Sequence, residues 1–570
     1  MRILSFFETK RVQRSPIVNN ERMPRVLIVG AGPVGQMAAL LLSQHGIPSL
    51  LVDKRTTRLT APKAHAVNAR TLEICDSIGI SASQLRELGA AANEGGMVRF
   101  VGTLTGPEFG SLPYERQDVG ALESTPFPLS NIPQPLFEQV LARHVAEDPN
   151  IDYRLGTTCT SLINQGEQVA ATLLDSRDES RSHSQLFDYA IAADGAGSSI
   201  RDSLNIEMEG PEALAHYLMI HFSADLRALT EHRRGVLYFL FEPGVNGTLI
   251  AYDHSRTWVL MHPWQPGSEK LEDYTEARCA ALIDKAVGQS LNGVTVENIS
   301  PWTMTAQVAK AYRKGRIFLA GDSAHRIPPA GGLGLNSGIG DVQNLSWKLA
   351  AVLNGLAGER LLETYEVERQ PVARINNEQS LNNAIKLFDL IVALHGDDPE
   401  KTGERYAAIS KSPDDYPELA EAVKAQKPHF DSFDLQIGYR YNSLAIVDPA
   451  PIPDVGDVSD YQPSWDAGAH FPHRWVTRDG ETRSLHSLIS PRTFTLLRGP
   501  RSSELSGHSR VKQLLFGVDF EDEDDWEMLT GLPTSGALLI RPDGHIATRF
   551  KTVNEDDFLS AIRQILARGD

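Results

Sequence analysis

The hydrophobic positions near the start of the chain predict a strand, a turn and a helix in direct succession. An apolar run fills residues 26–29, and apolar side chains then recur at helical spacing through residues 37–45. A short apolar run is typical of a buried strand, whereas recurrence every three to four residues is typical of a helix. A second apolar run, residues 49–52, ends at Asp53. The pattern therefore predicts a strand–helix–strand unit of a parallel sheet.

The turn between the first strand and the helix carries a glycine spacing that suits phosphate binding. Gly30, Gly32 and Gly35 form a G-x-G-x-x-G motif. The first glycine allows the tight turn, the second lets the backbone approach a pyrophosphate, and the third lets helix and strand pack closely. Asp53 is placed to accept hydrogen bonds from a ribose. We therefore predict a dinucleotide site, for which NAD and FAD are equally open at this point.

Two later strands of the same type also end in an Asp and Gly pair. Residues 189–193 lead into Asp194 and Gly195, and residues 316–320 lead into Gly321 and Asp322. Between them, β-type runs separated by turn residues predict an antiparallel meander at residues 217–222, 235–241, 248–252 and 257–261. Strands from distant parts of the chain are thus expected to converge on one ligand.

Composition narrows the possible partners. The 570 residues carry a formal net charge of −18, which argues against a nucleic-acid partner, and no apolar run approaches the length of a membrane span. The three cysteines, Cys75, Cys159 and Cys279, are far apart, so neither a disulfide framework nor a metal site is predicted and a reducing cytoplasm fits. The first 23 residues lack the apolar region of a secretory signal, and we interpret them as a flexible extension.

Taken together, the three glycine and aspartate motifs resemble the single-component flavoprotein aromatic hydroxylases, of the para-hydroxybenzoate hydroxylase and phenol hydroxylase type. The resemblance covers residues 24 to about 395 and implies that FAD is the dinucleotide. It implies that NADPH or NADH binds transiently and reduces FAD. The reduced FAD then reacts with O2 to give a C4a-hydroperoxide, which hydroxylates a phenolic or other activated aromatic ring. The alternative is an FAD-dependent reductase, or a monooxygenase that acts on a non-aromatic natural product. A further alternative is a flavin-binding protein that catalyses no reaction.

The resemblance also implies which residues bind FAD. These are Gly30, Gly32, Gly35, Asp53, Arg70, Gln134, Asp194, Gly195, Asp322, Gly334, Leu335 and Asn336. The segment from Gly332 to Asn336 is expected to offer backbone N–H groups to the flavin at the start of a helix that runs from about Asn336. Alternatives stay open: Arg70 could be an exposed arginine at a helix start, and Asp322 could cap a turn.

On the substrate side, the resemblance places His65, Pro329 and Tyr252 near the reaction. His65 lies where related enzymes have an aspartate that approaches the phenol, and a neutral imidazole could accept the phenolic proton. Pro329 corresponds to a proline whose carbonyl faces the site of oxygen attack. Further aromatic residues are expected to line the substrate pocket: Tyr238, Tyr252, His262, Trp264 and Trp302. For these, burial in a sheet core is the alternative.

The implied fold is α/β: a Rossmann-like FAD-binding domain with an inserted antiparallel β-sheet substrate domain and a C-terminal thioredoxin-like α/β domain that lacks C-x-x-C. The predicted boundaries follow the chain as residues 1–23 (extension), 24–205 (FAD-binding, with 90–131 contributing to the substrate domain), 206–305 (substrate sheet), 306–434 (return of the FAD-binding domain and a helical segment) and 435–570 (thioredoxin-like domain). A homodimer or higher homo-oligomer is expected from the resemblance alone.

Overall fold

The computed structural model describes residues 23–58, 61, 63–176, 182–396, 401–506 and 508–568, so the predicted extension lies outside it except for its last residue. The strands are β1 Val26–Val29, β2 Ser49–Asp53, β3 Ala66–Val67, β4 Met97–Val101, β5 Glu108–Pro113, β6 Ser130–Asn131, β7 Ile151–Leu155, β8 Thr157–Asn164, β9 Val169–Asp175, β10 Ser182–Phe187, β11 Tyr189–Ala192, β12 Met208–Glu209, β13 Ala215–Ser223, β14 Leu237–Leu240, β15 Gly247–Asp253, β16 Thr257–Pro263, β17 Thr295–Met304, β18 Gln307–Ala309, β19 Arg313–Lys314, β20 Ile317–Leu319, β21 His325–Arg326, β22 Trp475–Arg478, β23 Glu481–Ser484, β24 Phe494–Arg498, β25 Val511–Leu515, β26 Ala537–Ile540 and β27 Ile546–Phe550.

The α-helices are α1 Pro33–Gln44, α2 Ala69–Ser77, α3 Ala82–Glu87, α4 Ala92–Gly95, α5 Gln134–Glu147, α6 Ser199–Ser203, α7 Arg227–Thr230, α8 Glu276–Val287, α9 Leu333–Leu353, α10 Thr364–His395, α11 Thr402–Lys411, α12 Pro417–Lys424, α13 Lys427–Phe430, α14 Phe433–Ile437, α15 Trp526–Thr530 and α16 Glu555–Ile565. Short 3-10 helices occur at Val119–Glu123, Leu271–Asp273, Gly321–Ser323, Glu359–Glu363, Pro413–Asp415 and Leu485–Leu488.

A six-stranded sheet in the order β19-β20-β11-β1-β2-β7 forms the centre of the first half. Its inner strands are apolar along their whole length because they are buried in one core with α1, α5, α9 and the three-stranded antiparallel sheet β10-β9-β8. Strand β1 runs parallel to both β2 and β11, and β11 runs parallel to β20. The carboxyl ends of β1, β2, β11 and β20 therefore meet at one edge, where open α/β sheets bind their ligands.

The second large sheet has seven strands in the order β17-β13-β16-β15-β14-β4-β5. It is antiparallel except that β4 runs parallel to β14, because β4 and β5 join its edge from a distant part of the chain. One face packs on α8 through an apolar cluster that includes Tyr238 and Trp258. The opposite face carries a smaller cluster with Ile250, Tyr252 and Val259. Residues of α10 to α13 cover part of that second face.

The C-terminal region contains a four-stranded sheet, β25-β24-β26-β27, with the amphipathic helix α16 packed on it. We refer to residues 465–568 as the C-terminal module. Its core continues into the first half of the chain because Trp347 of α9 packs edge-on against Phe494. The three cysteines of the chain all precede this module and are free thiols. The predicted α/β fold with an inserted sheet and a thioredoxin-like C-terminal domain is confirmed by this architecture together with the structural matches reported below.

Across the described part of the chain, no helix combines the length and the apolar character needed to cross a membrane.

Candidate active site

The three predicted glycine and aspartate motifs are in direct contact at the carboxyl edge of the six-stranded sheet. A Cβ on Gly30 would lie 2.2 Å from the carbonyl oxygen of Ala193, one residue before Asp194. A Cβ on Gly321 would lie 3.0 Å from a methyl of Val34, and Gly30 and Gly321 both have positive φ. Only glycine allows this approach. Gly30 and Gly321 thus serve to bring the loops together.

Gly32 differs from its two neighbours in the motif because a Cβ there would meet no atom within 4 Å, and its φ is −72°. It is the N-cap of α1, and the first bond of the helix runs from the N–H of Gln36 to its carbonyl. The N–H groups of Val34 and Gly35, which precede Gln36 in the helix, therefore have no intrahelical partner. Open space beside a glycine at the positive end of a helix dipole fits a pyrophosphate.

Asp53 is the last residue of β2, and its carboxylate accepts hydrogen bonds from two segments of the chain. Its carboxylate accepts the N–H of Ala31 at 2.8 Å and three bonds from Arg55 at 2.8–3.0 Å. Burial by itself would raise the pKa of Asp53, but the bonds from Arg55 and the backbone outweigh it and keep the pKa below its ordinary value. Asp53 is therefore ionised and positioned on the glycine turn, where a ribose hydroxyl could reach it.

Asp322 has the opposite environment. Its side chain is exposed at the edge where the motifs meet, and within the described residues no side chain or backbone group is hydrogen-bonded to its carboxylate. The alternative that it caps the following turn is not supported, because Ser323 makes the local bonds to Ala320. An open carboxylate beside the phosphate turn fits an acceptor for hydroxyl groups of a bound cofactor.

Helix α9 begins at Leu333, three residues earlier than predicted, with Gly332 at its N-cap in the left-handed region (φ 64°). The N–H groups of Leu333, Gly334 and Leu335 are free by helix geometry. The predicted backbone contact of Asn336 with flavin stays a prediction. Its side chain accepts from Asn68 and Thr71 and donates to Ala66 and to Gly332.

Arg70 is not brought to the cofactor edge, which corrects the prediction that it contacts flavin. The guanidinium is buried and donates to Glu73, to Gln343 of α9 and to the carbonyl of Asp543 in the C-terminal module. The alternative of an exposed arginine at a helix start is equally wrong. Arg70 joins two parts of the chain that are far apart in sequence.

Lys63 is the cation that sequence reasoning missed. Its side chain is exposed, and its positive charge acts on the carboxylates of Asp322 and Glu138 on either side of the loop. Gln134 braces this loop by accepting the N–H of Ala64 at 3.2 Å and donating to Glu138 at 2.6 Å. The contact of Gln134 with FAD stays a prediction.

Asp194 and Gly195 form the turn before α6. The carboxylate of Asp194 accepts from Ser198 at 2.6 Å and from the N–H of Ile200 at 3.4 Å, and Gly195 has φ 86°. Burial raises the pKa of Asp194 above its ordinary value. The geometry defines a helix-capping role, and the predicted cofactor role of this pair stays a prediction.

His65 lies beside two aromatic side chains of the seven-stranded sheet region, Tyr252 of β15 and Tyr114 directly after β5. Its ring centroid is 5.7 Å from those of Tyr114 and Tyr252. Its Nδ1 is 2.9 Å from Oδ1 of Asn131, whose Nδ2 donates to the carbonyl of Gly95 at 2.8 Å. Because the amide is oriented by that second bond, Oδ1 must accept, so Nδ1 of His65 carries the proton. Among the described residues no group is hydrogen-bonded to its Nε2, which is then the free acceptor.

The surroundings of His65 also decide its charge. Burial lowers the pKa of His65, while the bond to Asn131 acts in the opposite direction and is the weaker effect. The imidazole is therefore neutral at pH 7. A neutral imidazole with a free Nε2 can take up a proton.

Tyr252 and Pro329, the other predicted catalytic residues, flank the same region. The Tyr252 hydroxyl donates to the carbonyl of Lys63, so the tyrosine is tied to the loop that carries His65. The Pro329 carbonyl accepts the N–H of Gly332 at 3.1 Å, and its ring is exposed. A Cβ on Gly332 would lie 3.5 Å from the hydroxyl of Tyr114, which links this loop to the aromatic group around His65. Their roles in the reaction stay predictions.

Three of the aromatic residues predicted to line the substrate pocket point the wrong way. Tyr238 and Trp264 belong to the cluster under α8, and the ring of His262 lies 6.2 Å from that of Tyr274 in the same layer. The reason is the alternation of side chains along a strand, since Tyr238 pairs with Leu249 and thus faces away from Tyr252. These three residues are core residues of the sheet.

Trp302 does share the face of Tyr252. It pairs with Tyr217 across β13 and β17, with ring centroids 5.9 Å apart. Tyr217, together with Tyr114 and Asn131, was missed. Alternation along β13 identifies Tyr217 once the pairing is known, but nothing in the linear pattern marks Tyr114 or Asn131.

The sequence of the chain is similar to known protein families and to individual enzymes. Residues 23–380 match the FAD binding domain family model, and residues 465–569 match that of the aromatic-ring hydroxylase C-terminal domain. The chain is 31% identical to 2,4-dichlorophenol 6-monooxygenase of Delftia acidovorans over 95% of its length and 98% of the relative, and 33% identical to tetracenomycin A2 monooxygenase-dioxygenase of Streptomyces glaucescens over 97% and 98%.

Solved structures of flavin-dependent enzymes have a similar fold. The flavin-dependent monooxygenase PieE, determined with FAD and substrate, superimposes with a TM-score of 0.87 at 30% identity, covering 96% of this chain and 99% of PieE. Aklavinone-11 hydroxylase, determined with FAD and aklavinone, gives a TM-score of 0.80 at 26% identity, covering 97% and 100%. The chain belongs to the FAD-dependent aromatic-ring hydroxylases and is a flavoprotein monooxygenase, which confirms the resemblance, the enzyme class and FAD as cofactor.

Proposed function

We propose that this enzyme hydroxylates an uncharged phenol and that His65 accepts the phenolic proton. The observation that carries the proposal is the fixed tautomer of His65, whose Nδ1–H is held by Asn131 so that Nε2 is free. A phenolate is a better nucleophile than a phenol toward an electrophilic oxygen, so a positioned base at this point accelerates the transfer. Two curated relatives act on phenols by name, 2,4-dichlorophenol and 4-methyl-5-nitrocatechol, which supports the substrate class.

FAD supplies the redox chemistry, because after reduction by NAD(P)H it activates O2 for transfer of one oxygen atom to the ring. The chain's own contribution is to hold the two ends of the cofactor. Gly32 and the start of α1 would hold the pyrophosphate, Asp53 and Asp322 the hydroxyl groups, and the free N–H groups at the start of α9 the pyrimidine end of the ring. A helix N-terminus at that end favours the negative charge of reduced flavin.

The face of the seven-stranded sheet that carries Tyr252 supports an uncharged substrate. Its inward positions on β13 to β16 include Tyr217, Met219, Ile250 and Val259, and the buried side chains that cluster around Tyr252 on this face are uncharged, whereas Asp253 at the end of β15 is exposed. A carboxylate buried here would lack a counter-charge, which is costly. We therefore infer that the ring carries no carboxylate.

The test is NAD(P)H oxidation and product analysis with a panel of chlorinated and nitrated phenols and the correspondingly substituted benzoates. We expect phenols to accelerate NAD(P)H oxidation and to yield hydroxylated product, and benzoates to do neither. Equal or preferred use of benzoates would contradict the uncharged pocket. Product formation by a His65→Asn variant at the wild-type rate would contradict the role of His65.

We propose, further, that the enzyme works in the cytoplasm as a homo-oligomer. The three free cysteines support a reducing compartment. Three large apolar side chains on one side of α10, Ile385, Phe388 and Ile391, are 57%, 61% and 36% exposed, which supports self-association along this helix. Light scattering on the purified enzyme tests the proposed self-association, and a monomer at micromolar concentration would contradict it.

A further inference from the structure

A cluster of buried charged side chains joins the C-terminal module to helix α9. Its centre is Asp543, which lies in the turn between β26 and β27 and is 2% exposed. The carboxylate of Asp543 accepts from Arg541 of the same turn, from the indole N–H of Trp347 at 3.0 Å and from the amide of Asn344 at 3.5 Å. Both Trp347 and Asn344 belong to α9, so the module is hydrogen-bonded to this helix through the Asp543 carboxylate.

The same turn also holds helix α2. The backbone carbonyl of Asp543 accepts from Arg70, the second residue of α2, and Arg70 also donates to Gln343 of α9 at 2.9 Å. A Cβ on the next residue, Gly544, would come 3.2 Å from the Arg70 guanidinium, so the turn lies directly on it. One turn of the module thus contacts α2 and α9 at once.

The charges of the cluster are balanced and fully enclosed. Glu368 of α10 accepts from Lys348 at 2.7 Å and from Arg541 at 2.7 and 2.9 Å, and all three side chains are completely buried. The positive charge of Arg541 is the main force that keeps the pKa of Glu368 well below its ordinary value against the effect of burial. Removing one member would leave an uncompensated buried charge, so the arrangement has little freedom.

Helices α2 and α9 both start at the flavin edge. Their N-terminal ends are tied directly, because Asn336 bonds to the N–H of Asn68, the N-cap of α2, and to Thr71. The tie through Asp543 reaches α9 at Trp347, which is 14 residues beyond Leu333, or roughly 21 Å along the helix axis. Two ties this far apart fix the direction of α9 as well as its position.

We propose that Asp543 is a positioning residue of the flavin site, and that the C-terminal module thereby sets the angle at which α9 presents its free N–H groups. The proposal rests on the proposed contact between the start of α9 and the flavin ring. It gives the C-terminal module a role in the reaction without any residue of that module touching the cofactor. It also explains why Arg70, although close in sequence to the site, points to the module.

The test compares two matched tryptophan variants of the full chain. Trp347→Phe removes the indole N–H that binds Asp543 and leaves a smaller aromatic ring in its place. Trp526→Phe makes the same change at a residue whose N–H donates to the carbonyl of Pro533 at 3.0 Å, inside the core of the module and away from α9. Both positions are buried, so the general cost of the smaller ring is similar.

Three quantities are measured for each variant: the unfolding temperature of the FAD-free protein, the Kd for FAD and the visible-region circular dichroism of bound FAD. We expect similar losses of unfolding temperature in both variants. Trp347→Phe should weaken FAD binding roughly threefold to tenfold, the span expected within one hydrogen-bonded network, and should change the flavin dichroism. Trp526→Phe should leave both flavin properties as in the wild type.

If both variants keep wild-type flavin properties, or if both lose them to the same degree, the proposal is overturned, because the module would then act only through overall stability. The direct variant, Asp543→Ala, risks misfolding and is not needed for this decision. No substrate is present in these measurements, so a failure of the phenol proposal would leave their outcome unchanged.

Discussion

The difference between Gly32 and Gly35 allows the phosphate cradle to be tested apart from the fold. Gly32→Ala places a methyl group where no protein atom lies within 4 Å, at a backbone conformation that any residue adopts. Replacing glycine stabilises a protein by about 0.4–1 kcal/mol through the unfolded state, but alanine is a poorer N-cap than glycine by a similar amount. Because the two effects oppose each other, we expect the unfolding temperature of the FAD-free protein to stay within about 4 °C of the wild-type value.

The same methyl group occupies the space assigned to the pyrophosphate. Forcing an extra carbon into a filled site costs about 1–3 kcal/mol, which corresponds to a roughly 5- to 150-fold rise in the Kd for FAD. The Kd is measured by titrating FAD-free protein and following flavin fluorescence. The expected result is therefore a protein that is about as stable as the wild type without FAD and that binds FAD poorly.

Gly35→Ala is the matched control. Its Cβ would lie 1.9 Å from the carbonyl oxygen of Gly30, so the helix and strand must move apart. We expect a loss of about 1–3 kcal/mol, and hence a lower unfolding temperature before any cofactor is added. A Gly32→Ala protein that binds FAD with wild-type affinity would refute the assignment of the cradle.

Other expected outcomes follow from the same geometry. His65→Asn should lower the hydroxylation rate roughly 100-fold or more while the Kd for FAD changes little. In the wild type kcat/KM should stay level down to pH 6.5, the ordinary pKa of histidine, and fall only at lower pH, because the pKa of His65 is lowered and the neutral form is the active one. An unchanged acidic limb in the variant would contradict this. Asp322→Asn should raise the Kd for FAD roughly tenfold without changing the unfolding temperature of the FAD-free protein, because its carboxylate has no described protein partner to lose. Burial raises the pKa of Glu115 to about 7, so its ionisation removes stability as the pH rises from about 4.5 to 7. Glu115→Gln should raise the free energy of unfolding by about 3 kcal/mol at about pH 8 and by much less at about pH 4.5, and an equal gain at both pH values would contradict the buried acid.

The parts of the site that the sequence predicted are those determined by short stretches of chain. Gly30, Gly32, Asp53 and Asp322 follow directly on apolar strands, and the carboxyl ends of parallel strands must meet at one edge. Their convergence could therefore be predicted without knowing any distant contact. The α/β frame and the inserted antiparallel sheet followed from the same patterns of strands and helices, whereas the type of the C-terminal domain came from the family resemblance.

Apart from the start of α9, which lies three residues earlier than predicted, the errors concern contacts between distant segments. Tyr238 and Tyr252 were both assigned to the pocket, but which side of a sheet a residue faces depends on strand pairing, and an irregularity between Ala251 and Asp253 adds to the difficulty. Arg70 binds a carbonyl 473 residues later in the chain. No local pattern marks such a partner, because the cluster exists only after the C-terminal module has packed on α9.

The central claim is that the enzyme transfers one atom of O2 to a phenol at the His65 side of the flavin. It is tested most directly by incubating the FAD-loaded enzyme with NADPH and 2,4-dichlorophenol, within the phenol panel described above, under ¹⁸O2. We predict a hydroxylated phenol that contains one ¹⁸O atom and is formed in step with NADPH oxidation. NADPH oxidation that yields only hydrogen peroxide with every phenol tested, or a product whose oxygen comes from water, would contradict the account.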